Sequence, residues 1–341
     1  MEYKTRRKLL IILGYIISIL LIYLAFRKVE LHELLNSLRS ANYLWILPNL
    51  LIVMIAMYYR AYRWKFMVDP IKKISMDKLF ASTMIGFMAS NVLPLRLGEF
   101  VRAWSLGKIT DTSRSAVLAT VVIERIYDSF ALLTLFTIIL LFKRLPLPNE
   151  LQHFGYLFLI ANLFALGILI FLKINPTPTL NLLSKIFSIF PQKVSRKVME
   201  LLEKFTEGLE VMGDFKVVIR LAWQSMILWF LTGISNYFVF LAFGLDLPLD
   251  ASFVVLVIVS IGIMIPQSPG FVGGYHICVW YALKPYDVNQ DIAMAVAVVL
   301  HGAQYVVITL VGFYYLRREH LSLKEAEEES ISEDASEEQS R

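Results

Sequence analysis

Six apolar runs, at about 9–26, 43–59, 115–142, 153–173, 217–243 and 290–316, constrain this chain more than any other feature. Each is long enough to cross the hydrocarbon of a bilayer. Lipid offers no hydrogen bonds to the backbone, so runs of this kind must be helical. Hydrophobic residues fill 57% of the 341 positions, and the charges gather in loops and a tail instead of alternating with apolar residues. The expected fold class is an all-α integral membrane protein.

The first run follows Lys4, Arg6, Arg7 and Lys8, as a signal peptide would. No small-residue cleavage site follows, since Phe26-Arg27-Lys28 is a poor one, so the run reads as a membrane anchor. The single cysteine, Cys278, excludes an intrachain disulfide and a cysteine-based metal cluster. The net charge of +5 comes from basic residues beside the spans, where the cytoplasmic leaflet accounts for them; no nucleic-acid partner is expected.

Two shorter apolar stretches, 79–93 and 251–265, each end in a proline-bearing break, Asn91 to Phe100 and Pro266 to Gly274, and a second short segment follows each. Charge decides between full spans and re-entrant hairpins. With a cytoplasmic N-terminus, the second run delivers Arg60, Arg63, Lys65, Lys72 and Lys73 to the cytoplasm. A full span at 79–93 would place Lys185, Lys193, Arg196, Lys197 and Lys204 outside, against the positive-inside rule. Hairpins at both places keep that loop, Arg317, Arg318 and the C-terminus cytoplasmic. Six full spans plus two re-entrant helical hairpins are therefore expected, in the inner (cytoplasmic) membrane.

Pro94-x-x-x-Gly98 recurs as Pro269-x-x-x-Gly273, 175 positions later. At nearly the same offset, span 43–59 matches 217–243, and Glu124-Arg125 matches the neighbourhood of His301. Hairpins entering from opposite sides make an inverted repeat, about 9–142 and 153–316, with broken helices near the midplane, as in transporters. Residues 1–320 form one polytopic domain. Its cytoplasmic insert, 174–216, carries Val194, Val198, Leu201, Leu202, Phe205, Leu209 and Met212 at amphipathic helical spacing. The acidic, serine-rich tail, 321–341, is expected to be disordered.

Ionised groups in a span cost roughly 2.5–3.5 kcal/mol each, so they face a bundle interior or a wet cavity. Glu124, about 14 Å along its helix, shares a face with Asp128, and Arg125 is adjacent. They line a substrate path, or form a structural ion pair locking the helix to the first hairpin. Arg96, Glu99 and Arg102 surround the break at Pro94 and Gly98, where arginines suit bidentate phosphate contacts; the alternative is satisfaction of the broken backbone. The second break holds Pro266, Pro269, Gly270, Gly273 and Gly274. His276 beyond it and His301 in the last span make a polar pair, a proton relay or a headgroup contact. Arg60, Arg63 and Trp64 read first as interfacial anchors and second as recruiters of anionic lipid. No phosphate loop, metalloprotease motif or nucleophile elbow occurs, so neither enzyme activity nor a cofactor is expected.

Taken together, Arg60-x-x-Arg63-Trp64, Leu93-Pro94-Leu95-Arg96-Leu97-Gly98-Glu99-Phe100-x-Arg102, Glu124-Arg125-x-x-Asp128 and Pro269-Gly270-x-x-Gly273 resemble the flippase-like transmembrane domain of lysylphosphatidylglycerol synthetases, over roughly residues 5–320. That domain also occurs as stand-alone membrane proteins, and this chain resembles that form, without the soluble synthetase domain. The resemblance implies movement of aminoacylated phosphatidylglycerol or a related phospholipid between leaflets, with membrane lipids, anionic ones above all, as partners. His276 and His301 stand where many relatives carry Glu and Arg, which leaves the substrate open. Two other readings compete: a scaffold for a lipid-modifying enzyme or glycosyltransferase, docking through the insert and tail, and an intramembrane enzyme acting on lipid phosphates. A homo-oligomer is compatible with each.

Overall fold

A computed structural model of the chain describes residues 2–94, 97–142, 215–263 and 268–329, together with parts of 160–206. The described residues are helical, with no strand among them. Helices α1 (Glu2–Phe26), α2 (Leu31–Ser40), α3 (Ile46–Val68), α4 (Met76–Val92), α5 (Gly98–Thr110) and α6 (Arg114–Phe142) precede α7 (Pro176–Phe187). Helices α8 (Phe215–Ala242), α9 (Leu249–Gly262), α10 (Gly274–Leu283) and α11 (Gln290–Arg318) follow. Among the described residues, three segments are long and apolar enough to cross a membrane, Tyr43–Val68, Lys216–Ala242 and Gln290–Arg318. The bent pair α1–α2, with 83° between its arms, makes a fourth if counted as one span. The expected run 153–173, the second half of the insert, Arg96 and Pro266 lie wholly or largely outside the described residues.

The contacts separate two compact units within what the sequence presents as one domain: residues 1–62, 74–118 and 230–341, and residues 63–73 and 119–229.

The first unit is organised by α11. Asn289 caps its start by accepting from the Asp291 amide at 3.0 Å. Helix α4 runs antiparallel along the second half of α11. Arg318 pairs with Asp77 at 2.6 Å, Gly312 lies against Met84 and Met88, and Asn91 Nδ2 donates to Thr309 Oγ1 at 3.0 Å. Leu93 then takes an extended conformation (φ −89°, ψ 145°), as the residue before Pro94 must, and α4 ends. Helix α5 returns along α4 so closely that a methyl group on Gly98 would collide with Ser90 and the Gly86 carbonyl. One on Gly86 would lie 2.5 Å from the Arg102 Cβ. Both ends of this helix pair sit at the C-terminal end of α11: Lys78 pairs with Glu319 at 2.7 Å, and Lys108 with Glu325 at 2.5 Å.

The pair α9–α10 is built alike from the other end of α11. Gly262 lies against Cys278 between its arms, and Asp250 accepts from Tyr286 at 3.0 Å, tying its beginning to its end. Its break carries Gly270 (φ +73°) and Gly273 (φ +94°), conformations that glycine adopts without strain. Helix α1 packs beside it: Ser18 Oγ accepts from the Ser268 amide at 2.7 Å, and the Gly273 surface faces the Ser18 carbonyl.

The tail departs from expectation over its first residues. Residues 323–329 are helical, and Ala326 is fully buried with Trp104, Val101 and Leu316. Leu321 and Leu323 supply an apolar edge that the acidic composition hides.

Candidate functional site

The two breaks meet in the first unit. The Gly270 Cα surface lies against the Tyr305 ring and close to the Asn91 carbonyl, while Asn91 Nδ2 also points at the Tyr305 carbonyl at 3.5 Å. Tyr305 is 13 residues, about 20 Å, from the C-terminal end of a 29-residue helix about 43 Å long. The last turn of α4, just ahead of the first break, and the irregular backbone of the second break are therefore gathered at the middle of α11, where water-free lipid would leave irregular backbone unsatisfied.

His276 and His301 do face each other there, with ring centroids 5.2 Å apart. His301 stacks on Tyr275 at 4.6 Å. His276 also receives the Gly273 amide on Nδ1 at 3.4 Å, so it helps to cap α10. Phe26 closes the far side at 5.9 Å. The histidines thus buttress the second break.

Around the first break, Glu99 is exposed, whereas Arg102 is 2% exposed with its stem on Gly86. Gly98, read at the break, opens α5 in close contact with Ser90 and the Gly86 carbonyl. Pro94, Pro269 and Gly274 stand at their breaks as expected, Gly274 opening α10. Arg60 is buried too, with its guanidinium 5.1 Å from the Phe87 ring centroid. The interfacial-anchor reading of Arg60, Arg63 and Trp64 is corrected, because all three are 4% exposed or less. Helix α3 continues to Val68, which carries them into packed surroundings.

The second unit holds a buried charge cluster. Arg63 donates to Asp128 Oδ1 at 2.7 Å and to Ser225 Oγ, and stands 3.3 Å from Glu124 Oε1. Arg125 approaches Glu124 Oε1 at 2.8 Å and Asp128 Oδ2 at 3.1 Å. Trp229 Nε1 donates to Asp128 Oδ1 at 3.0 Å, and Trp64 Nε1 to Thr120 Oγ1 at 2.8 Å. Among the described residues, two arginines face two carboxylates in this cluster. The expected carboxylate face is there, and its partner is Arg63 of α3. Arg125 alone of the four is substantially exposed, with 34% of its side chain accessible. It opens on a groove of about 300 Å³ lined by Val122, Ile126, Ser129, Phe130 and Leu133.

Sequence reasoning missed Asn91, Thr309, Tyr305, Ser225 and Trp229. Only Asn91, polar in the last turn before Pro94, carried a signal. No group of three or more metal-ligating side chains lies together among the described residues.

The chain is similar to several archaeal membrane proteins. One UPF0104 membrane protein of Methanothermobacter thermautotrophicus is 24% identical over 302 residues, 82% of this chain and 87% of its own length. The UPF0104 membrane protein MJ1078 of Methanocaldococcus jannaschii is 29% identical over 236 residues, 67% of this chain and 94% of its own. A further relative from that organism, MJ1595, is 22% identical over 320 residues, 87% of this chain and 91% of its own. Residues 11–312 match the family model described as the lysylphosphatidylglycerol synthase TM region, so this chain is a multi-pass integral membrane protein belonging to that family.

Proposed function

We propose that the protein is a lipid translocase, moving a phospholipid or an aminoacylated phosphatidylglycerol-type headgroup between leaflets while the acyl chains stay in lipid. The observation that carries this reading is the meeting of the second helix break with the last turn before the first one, at the middle of α11 beside Tyr305. Polar backbone held at membrane depth lowers the barrier that hydrocarbon sets against a polar headgroup. Helices α4, α5, α9 and α10 have 17, 13, 14 and 10 residues, roughly 15–26 Å, short of the ~30 Å hydrocarbon layer. Each pair begins and ends at one end of α11, which supports two re-entrant hairpins entering from opposite faces of the inner membrane. The termini are then cytoplasmic. The family implies the same class of function.

In this reading Arg102 contacts phosphate as the first break opens. Arg125, exposed beside a largely apolar groove, is the member of the charge cluster that touches lipid. Glu124 and Asp128 keep Arg63 and Arg125 neutralised within the protein. The scaffold reading needs the acidic tail as a docking surface, yet Glu325 is already paired with Lys108 in the same chain.

Purified protein in liposomes with fluorescent anionic lipids tests the proposal. Leaflet exchange should accelerate with wild type and fall at least tenfold with Arg102→Ala. No acceleration for any anionic lipid, with Arg102→Ala indistinguishable from wild type, would discard it.

A further inference from the structure

The end of the first helix pair carries a basic site that the rest of the first unit does not explain. The chain turns at Asp111 (φ 51°) and folds Arg114 back over α5. Gly107 makes the room: a Cβ there would lie 2.7 Å from the Arg114 Cγ. Lys108 and Arg114 are thereby set side by side, and the Lys108 ammonium also stands 6.0 Å from the Trp104 ring centroid. Carboxylates from residues 323–329 fill the site. Glu325 contacts Lys108 at 2.5 Å, and Glu329 contacts both Lys108, at 3.6 Å, and Arg114. Ala326, between those carboxylates, is fully buried against the core that Met88, Val101 and Trp104 form.

We infer that residues 323–329 are a displaceable strap, and that Lys108 and Arg114 are a contact site for anionic phospholipid headgroups that the strap's carboxylates occupy in their absence. Three features support this. The ion pairs are partly exposed, 27–44% accessible on each side, so they are weak and exchangeable. The strap offers two carboxylates to two cations, the charge pattern of two phosphate diesters. By the charge pattern of the loops, the site faces the cytoplasmic leaflet, whose negative surface potential attracts each nearby Lys or Arg. A lipid that wins Lys108 and Arg114 leaves Glu325 and Glu329 against like charge, and the strap leaves with Ala326. The inference concerns binding, and it stands or falls apart from translocation.

Hydrogen exchange of the 323–329 amides, measured on the full chain in nanodiscs at fixed ionic strength, tests it. Exchange should be slow in phosphatidylcholine and about tenfold faster in phosphatidylglycerol, the size expected for losing two or three partly exposed pairs. Glu325→Gln with Glu329→Gln should speed exchange in phosphatidylcholine by a similar factor. Lys108→Gln with Arg114→Gln should abolish the dependence on lipid. Ala326→Arg, which removes the packed contact, should exchange fast in both lipids. Equal protection of the wild type in both lipids would overturn the inference, as would slow exchange of Ala326→Arg. Inorganic phosphate in phosphatidylcholine nanodiscs should leave protection unchanged. If it releases the strap as phosphatidylglycerol does, the site is a phosphate site and the lipid assignment fails.

Discussion

Replacing Arg63 with methionine, which keeps most of the volume, removes the cation that binds both buried carboxylates. Arg63 is fully buried, 2.7 Å from Asp128 and 3.3 Å from Glu124. At about 3 Å and an effective dielectric near 20, each contact is worth roughly 5 kcal/mol before desolvation is subtracted. Both carboxylates then lose their Arg63 contact, and the cluster becomes one unit more negative. Breaking a buried pair by deleting one partner costs about 3–5 kcal/mol, and that is the expected loss. Equilibrium unfolding in bicelles by denaturant titration measures it. Adding Asp128→Asn to Arg63→Met should recover about 1–3 kcal/mol, because the second change relieves the charge that the first exposes. A loss below about 1 kcal/mol for Arg63→Met, the value of an exposed surface pair, would refute the claim that the cluster is a desolvated anchor.

Four further outcomes are expected. Gly98→Ala should destabilise by about 1–3 kcal/mol in the same titration, since the added methyl meets Ser90 and the Gly86 carbonyl. Gly302→Ala, a helical site with open space around it, should be neutral or stabilising by up to about 1 kcal/mol. Asn91→Leu should cost about 0.6–1.7 kcal/mol through loss of the Thr309 bond and should slow leaflet exchange; unchanged exchange would count against the breaks as the pathway. In a Cys278→Ser background, cysteines at Ser75 and Ser113 should label from the cytoplasmic face, and cysteines at Asp246 and Asp287 from the opposite face. Ser75 and Ser113 labelling from opposite faces would exclude a re-entrant first pair.

The sequence made the helix breaks legible because proline and glycine act locally: Pro94 dictates the extended Leu93, and Gly270 and Gly273 supply left-handed turns. The carboxylate face of α6 was legible for a similar reason, since ionised residues in an apolar run stand out. Partners were not. Arg63 sits where a basic residue normally marks a membrane edge, and only the continuation of α3 to Val68 buries it. The match of Asn91 with Thr309 joins two neutral polar residues 218 positions apart, and neither announces the other. The tail misled because its abundant glutamates mask three well-spaced apolar residues, Leu321, Leu323 and Ala326.

Tyr305 receives both reversals, one on its ring through Gly270 and one on its carbonyl through Asn91. A single residue is thus the shared pivot of two arms. If either arm withdraws, it strips a contact from the surface on which the other rests, so simultaneous opening would leave that turn bare on both sides. In the proposed translocase, opening in alternation would leave one seal in place at every moment, so that ions would stay on their own side while a lipid went through.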